Sequence, residues 1–150
     1  MNRKDILDLP SMPLAGPSYP AGPYRFIDRE YMIISYETDP ELIRHHLPEP
    51  LMPIAQPVVH YEWIKMPDSS GFGSYTETGI VIPCLFGEEE VNFVSQMYLD
   101  IEPPISAGRE IWGFPKKYAH PKLETVKDTL TGTLEYAGQQ VAMGTMGYKH

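Results

Sequence analysis

The chain has 150 residues, a net charge of −8 and one cysteine. This length accommodates one domain with a substantial core, and a hydrophobic content of 42% with 11% aromatic residues is typical of a globular protein rather than a disordered one. Positive charges are scattered rather than clustered, which argues against nucleic acid or an anionic membrane as a partner.

The cysteine and histidine content and the absence of known motifs argue against several further classes of protein. Cys84 cannot form an intrachain disulfide and is predicted to be a small core residue. The five histidines have no metal-ligand spacing, and neither a phosphate-binding loop nor a G-x-S-x-G motif is present. The N-terminal segment lacks the apolar core of a signal peptide, and no apolar run reaches transmembrane length. We therefore expect a cytoplasmic protein without a metal.

Proline and glycine dominate the local structure. Sixteen prolines and twelve glycines divide the chain into short segments, which favours strands joined by turns over a helical bundle. Residues 1–23 contain five prolines and are predicted to form an extended arm without a regular helix. Residues 30–38 are rich in β-branched and aromatic side chains, and this composition predicts a strand.

The segment DPELIRHHLPEP gives the clearest helix prediction. Asp39 is a good N-cap, and Pro40 suits the first helical position. Leu42, Ile43 and Leu47 form an apolar stripe on the predicted helix, and a proline ends it.

Strands and turns dominate the rest of the chain. In order, we predict a strand over residues 57–67, a glycine-rich turn region over 69–79, strands over 79–86 and 91–100 separated by an acidic turn, a short helix over 103–115 opened by prolines and closed by glycine, a segment over 122–128, and a hairpin over 132–150 with its turn near 137–140. This pattern predicts a mainly β fold with a few short helices (α+β), built on a curved antiparallel sheet or barrel.

Two adjacent lysines, Lys116 and Lys117, lie in the apolar, proline-containing segment WGFPKKYAHPK. One interpretation is a solvated basic loop. The other is a reactive lysine, because an amine is nucleophilic only when it is neutral, and burial among aromatic side chains disfavours the ammonium form. If the backbone is extended, the two side chains point to opposite faces. Nitrogens about 10 Å apart repel by only about 0.4 to 1.7 kcal/mol at dielectric constants between ~80 and ~20, so burial is expected to dominate.

The segment GREIWGFPKKYAHPKL resembles the active-site lysine segment of the acetoacetate decarboxylase family. Further similar segments occur in the same order as in that family: PYRFIDREY, LPEPL, YTETG, MYLDIEPPISAGRE, GTLEY and TMGYKH. The resemblance covers essentially the whole chain. It implies a single domain over residues 1–150 with a β-barrel-like (double-barrel or cone) fold around an apolar cavity. Family members extend beyond the position of His150, so the C-terminal part of the fold is expected to be missing.

The resemblance also implies a reaction and its residues. The reaction is decarboxylation of acetoacetate to acetone and carbon dioxide without a cofactor, in a homo-oligomer. Lys116 matches the lysine that forms the Schiff base, and Lys117 matches the neighbour credited with activating it. Glu77 matches the active-site glutamate, Glu62 a second cavity carboxylate, and Arg29 the arginine at the cavity entrance.

Several alternatives remain at this stage. Glu62 and Glu77 could be outward-facing strand residues, and Arg109 is interpreted as structural and left out of the site. A related enzyme could use Lys116 for aldol or dehydration chemistry on another oxo acid. A non-enzymatic barrel that binds a small apolar molecule, or an inactive truncated form, is the alternative from a different class.

Overall fold

The computed structural model describes residues 1–9 and 16–147. Three helices and eleven strands lie within these ranges. They are α1 (Arg3–Leu7), β1 (Phe26–Ile27), β2 (Glu30–Glu37), α2 (Pro40–His46), β3 (Leu51–Pro53), β4 (Val58–Met66), β5 (Asp68–Ser69), β6 (Tyr75–Phe86), β7 (Glu89–Leu99), α3 (Glu102–Trp112), β8 (Lys116–Tyr118), β9 (His120–Val126), β10 (Thr129–Tyr136) and β11 (Gln139–Gly147).

The main sheet has the strand order β2-β4-β6-β7-β8, and β3 pairs with the far end of β6. All of its pairs are antiparallel except that of β7 with β8, which α3 connects as a crossover. A second antiparallel sheet has the order β11-β10-β9, and β1 pairs with β5. The prediction of a mainly β fold with a few short helices is confirmed. The described strands form open sheets, so the barrel-like closure stays a prediction.

The N-terminal arm differs from its prediction. Residues Arg3–Leu7 form a short helix, because Asn2 and Asp5 make a reciprocal capping box and the first proline comes only at residue 10. The prediction of an extended arm from residue 1 was therefore wrong for this turn. Part of the predicted arm, residues 10–15, lies outside the described residues, as do the last three residues of the predicted C-terminal hairpin.

Helix α2 begins as predicted. The Asp39 side chain accepts a hydrogen bond from the backbone of Glu41 at 2.9 Å, and Pro40 occupies the first turn. Ile43 and Leu47 are buried against the sheet, but Leu42 is 54% exposed. Only two of the three residues in the predicted apolar stripe therefore pack against the sheet, because the short helix contacts the sheet on one side only.

The largest correction concerns the glycine-rich region. A turn was predicted over residues 69–79, but β6 already begins at Tyr75 and runs to Phe86. Gly71 and Gly73 have positive φ angles and make the turn, whereas residues 75–79 pair with β4 on one side, and from Glu77 onward also with β7. Glu77 therefore lies within a central strand. Cys84, on the same strand, is fully buried as predicted, and burial raises the pKa of its thiol.

The two larger sheets meet at Trp63 of β4. This side chain is fully buried with Met32, Leu123 and Leu130, and its indole N–H donates to the carbonyl of Thr133 at 3.1 Å. The indole fits because β10 and β11 present glycines to it. No helix within the described ranges has the length and hydrophobicity needed to cross a membrane.

Replacing Gly132 with alanine tests this close packing. A Cβ at residue 132 would lie 2.5 Å from the Trp63 ring and 2.6 Å from the Met32 methyl group. A rigid indole cannot move aside easily, so we expect Gly132→Ala to lower the free energy of unfolding by about 1–3 kcal/mol, measured by urea denaturation. Gly147→Ala is the control, since a Cβ there has no neighbour within 4 Å. An equal loss in both variants would contradict the packing argument.

Candidate active site

The alternation of β8 separates the two lysines. Lys116 lies opposite Met97 of β7, and Lys117 lies opposite Tyr98. Because successive side chains of a strand point to opposite faces, Lys116 faces α3 and is 8% exposed, whereas Lys117 is exposed on the other face of the sheet. The structure therefore has the opposite orientations expected for an extended segment.

Lys116 reaches across one strand to Glu77. The Nζ atom donates to Oε2 of Glu77 at 3.0 Å, and both side chains are buried. Strand β7 separates β8 from β6, so the two backbones are about 10 Å apart at the usual strand spacing. The extended lysine stem and the shorter glutamate side chain together bridge this distance. The contact joins residues 39 positions apart in the chain.

This pair lines a cavity of about 240 Å³ between the sheet and α3. Most of its wall is aromatic or aliphatic. The lining residues are Tyr24, Phe26, Arg29, Met66, Phe72, Tyr75, Glu77, Pro104, Ala107, Gly108, Trp112, Phe114 and Lys116. Lys116 Nζ also lies 5.7 Å from the centre of the Phe114 ring. The cavity thus surrounds one amine and one carboxyl group with largely apolar surface.

Arg29 supplies a second positive group to the cavity. Its guanidinium carbon lies 5.7 Å from the centre of the Phe26 ring and 5.6 Å from that of Tyr31, so two aromatic faces hold the side chain. Nearby Tyr75 is buried. Burial raises the pKa of its hydroxyl strongly, the Glu77 carboxylate adds to the effect, and the Arg29 charge opposes it. Tyr75 therefore stays neutral near physiological pH.

Glu62 lies on the same sheet face as Glu77 but farther from the cavity. It pairs with Gly79 of β6, whereas Ile64 of the same strand pairs with Glu77. It is half-buried and does not line the cavity. Burial raises the pKa of its carboxyl group, His60 opposes that rise, and the Glu77 carboxylate adds to it. The structure therefore brings together Lys116, Glu77 and Arg29, and leaves Glu62 at the margin and Lys117 on the other face.

Two residues of α3 contact Lys116 that the sequence did not indicate. Gly108 lies against the lysine stem, and Arg109 donates from Nη1 to the backbone carbonyl of Lys116 at 3.0 Å. Arg109 was expected to be structural and was left out of the site. The only feature of the sequence that could have indicated these two contacts is that Gly108 and Arg109 lie shortly before the lysine segment. The contacts themselves depend on how the chain turns back after α3. Among the described residues, no three His, Cys, Asp or Glu side chains converge on a possible metal site.

The family model described as acetoacetate decarboxylase matches residues 11–150. The chain belongs to this family. Its curated relatives include acetoacetate decarboxylase 1 from Bradyrhizobium diazoefficiens, 59% identical over 140 residues, and acetoacetate decarboxylase from Ralstonia nicotianae, 57% identical over 140 residues. Each alignment covers 93% of this chain and 56% of the relative. The chain thus spans about half the length of the curated relatives it matches.

Solved structures agree with this assignment to the acetoacetate decarboxylase family. The acetoacetate decarboxylase from Legionella pneumophila superposes with a TM-score of 0.89 at 51% identity, covering 97% of this chain and 58% of the other. The enduracididine biosynthesis enzyme MppR, complexed with pyruvate, superposes with a TM-score of 0.73 at 20% identity, covering 89% of this chain and 58% of that one. The second likeness concerns the fold alone. The family resemblance predicted from the lysine segment and the other similar segments is confirmed.

The half-buried carboxyl group of Glu62 predicts a pH-dependent effect on stability. Because its pKa is raised in the folded state, the group favours folding below its ordinary pKa of 4.5 and this contribution is lost as pH rises through the folded value. We expect Glu62→Gln to raise the Tm at pH 7.5, with the gain shrinking toward pH 4. Thermal denaturation across this range checks the prediction, and a gain that does not change with pH would contradict it.

Proposed function

We propose that this chain carries the catalytic centre for cofactor-independent decarboxylation of acetoacetate to acetone and carbon dioxide, through a Schiff base on Lys116. The observation that carries the proposal is a buried lysine amine in a largely apolar cavity, 3.0 Å from one carboxylate. The named relatives support the substrate, since they are acetoacetate decarboxylases.

The first step is attack by the neutral amine of Lys116. A proton passes from Nζ to Glu77 across their hydrogen bond, which leaves a neutral amine beside a protonated carboxyl group. The amine lone pair then forms a C–N bond to the ketone carbon of acetoacetate while the C=O π electrons move to oxygen, and a proton moves from nitrogen to this oxygen to give the carbinolamine. Glu77 returns a proton to the carbinolamine hydroxyl, and the C–O bond breaks with loss of water. The product is a protonated imine at Lys116.

The second step breaks the bond to the carboxylate. The electron pair of the C–CO2 bond moves into the protonated imine, which yields a neutral enamine and carbon dioxide. No metal or organic cofactor is needed because the imine nitrogen accepts the electrons. Charge disappears in this step, and an apolar wall disfavours the charged ground state more than the dispersed transition state. The aromatic lining around Phe114 and Tyr75 provides such a wall.

The last step protonates the enamine carbon and releases acetone. Glu77 is the nearest proton carrier to Nζ, and we assign it this transfer after it takes up one proton from water, which replaces the lost carboxyl group on the enamine carbon. Protonation at carbon gives the protonated imine of acetone, which water hydrolyses to acetone and the ammonium form of Lys116 from which the cycle began. The same carboxyl group thus accepts and returns protons at successive steps, as its position next to Nζ allows.

Arg29 has a separate role in substrate entry. The chain carries a net charge of −8, so an anionic oxo acid meets a repulsive surface over most of the molecule. Arg29 places a positive charge at the cavity and has no carboxylate within salt-bridge distance among the described residues. We assign it the capture of the substrate carboxylate. Lys117 adds a distant positive charge, and Glu62 does not line the cavity.

The proposal includes the setting of the reaction. A single domain, a cytoplasmic location and assembly into a homo-oligomer are part of it and are supported by membership of the family. The related reactions, aldol or dehydration chemistry on another oxo acid, would use the same imine at Lys116 and are separated from decarboxylation by the product formed.

Trapping of the imine tests the mechanism. We expect incubation with acetoacetate and borohydride to add the mass of the reduced adduct to the Lys116 peptide, because the protonated imine is reduced to a stable secondary amine. Mass spectrometry locates the adduct. Lys116→Arg should abolish both the adduct and acetone release, since a guanidinium is not nucleophilic. A folded protein without any adduct on Lys116 would refute the covalent mechanism.

Replacement of Lys117 separates burial from neighbouring charge. Lys117→Arg should keep most of the activity because the charge is retained. Lys117→Met should lower the rate of acetone release by no more than about 20-fold, since repulsion over about 10 Å is at most ~1.7 kcal/mol. Steady-state kinetics of acetone release check both variants. A loss well above about 20-fold in Lys117→Met, with Lys117→Arg still active, would show that the neighbouring charge, rather than burial, activates Lys116.

A further inference from the structure

Helix α3 approaches the side chain of Lys116 unusually closely. A Cβ built on Gly108 would lie 2.5 Å from Cδ, 2.6 Å from Cε and 3.2 Å from Nζ of Lys116. Carbon atoms in contact are normally about 3.5–4.0 Å apart. The hydrogen of Gly108 is therefore the largest substituent that this position accepts while the lysine keeps its conformation.

The backbone around Gly108 is tied to the segment that leads into β8. Its carbonyl accepts a hydrogen bond from the backbone N–H of Phe114 at 3.0 Å and another from the C-cap Gly113. Gly113 has a φ angle of 71°, which lets the chain turn back sharply after the helix. The distance between Gly108 and the lysine is thus fixed by local hydrogen bonds and not only by packing.

The next residue of the helix holds Lys116 from its backbone. Arg109 Nη1 donates to the Lys116 carbonyl at 3.0 Å. Consecutive residues of α3 therefore contact the two ends of one lysine: Arg109 its main chain, and Gly108 the outer part of its side chain.

We propose that Gly108 and Arg109 are positioning residues that set the direction of Lys116 Nζ toward Glu77. The effect of this positioning on catalysis rests on the proposed Schiff-base function. A lysine side chain has four rotatable bonds and loses much rotamer freedom when it is held in one conformation. The close helix surface excludes most of these rotamers before substrate arrives. The amine is then held in the direction from which it attacks, and attack geometry is sensitive to shifts of about 1 Å.

Glycine at this position has no other evident benefit to the helix. Gly108 lies inside α3, where alanine is the better helix former. If Gly108 had only a structural role in the helix, replacing it with alanine would therefore stabilise the helix. The positioning role gives the opposite result for chemistry, because the added methyl group meets the flexible end of a lysine and displaces it by on the order of 1 Å. The two roles are separable because folding and lysine position respond differently.

The test compares Gly108→Ala with Gly147→Ala, whose added Cβ has no neighbour within 4 Å. We expect Gly108→Ala to remain folded, to slow borohydride trapping of acetoacetate on Lys116 about 100-fold, and to lower kcat more than it raises KM. Gly147→Ala should match the unmodified protein. Unchanged trapping in a folded Gly108→Ala protein would overturn the proposal.

A second variant pair examines Arg109 if Gly108→Ala fails to fold. Arg109→Met should slow trapping about 10-fold at a KM close to that of the unmodified protein, and Arg109→Lys should restore part of the rate because it keeps a donor. Equal rates in the two Arg109 variants would overturn this half of the proposal.

A crystal structure distinguishes failure of this proposal from failure of the proposed function. If the unmodified protein is not trapped by acetoacetate, the Schiff-base function is wrong, but the position of Lys116 can still be measured. Gly108→Ala, or Arg109→Met if the first variant does not fold, should lengthen the Nζ–Oε2 distance to Glu77 beyond hydrogen-bonding range. A distance that stays near the present 3.0 Å would overturn the positioning role whatever the activity.

Discussion

The buried contact between Lys116 and Glu77 is the constraint on which the site depends. Each group would be costly to bury alone, and removing one partner of such a pair typically costs about 3–5 kcal/mol. The pair also joins the edge strand β8 to the central strand β6 across β7. The same contact therefore connects two strands of the sheet and places a proton carrier next to the nucleophile.

The sequence predicted the elements that local chemistry determines. Asp39 and Pro40 start α2, and Gly113 ends α3, because capping and φ angles are set by the residues themselves. The lysine segment and YTETG also predicted Lys116 and Glu77 as site residues through the family resemblance, but not their contact with each other. The beginning of β6 was missed, since two glycines in the preceding turn masked a strand whose pairing comes from distant residues.

The contacts that refine the site were beyond reach of the sequence for a similar reason. The role of Gly108 depends on a distance of 2.5 Å between a built Cβ and a side chain on another element. Glu62 has the same chemistry as Glu77, and only the register of β4 places it opposite Gly79, two residues along β6 from Glu77. The type of a residue indicates which chemistry it can perform. Its distance from the cavity in the folded chain decides which of two chemically equivalent residues performs it.

The shortness of strand β8 has a further consequence for the two adjacent lysines. Alternation assigns Lys116 to the cavity and Lys117 to the opposite face, and only three residues hold this register. A one-residue slip in a strand exchanges its faces, and here the exchange would bring the second lysine to the cavity in place of the first. If one residue between Gly113 and Lys116 were deleted, the second lysine would therefore take the place of the first, and the cavity would still contain an amine. The alignment of that amine with Glu77 would have to be rebuilt.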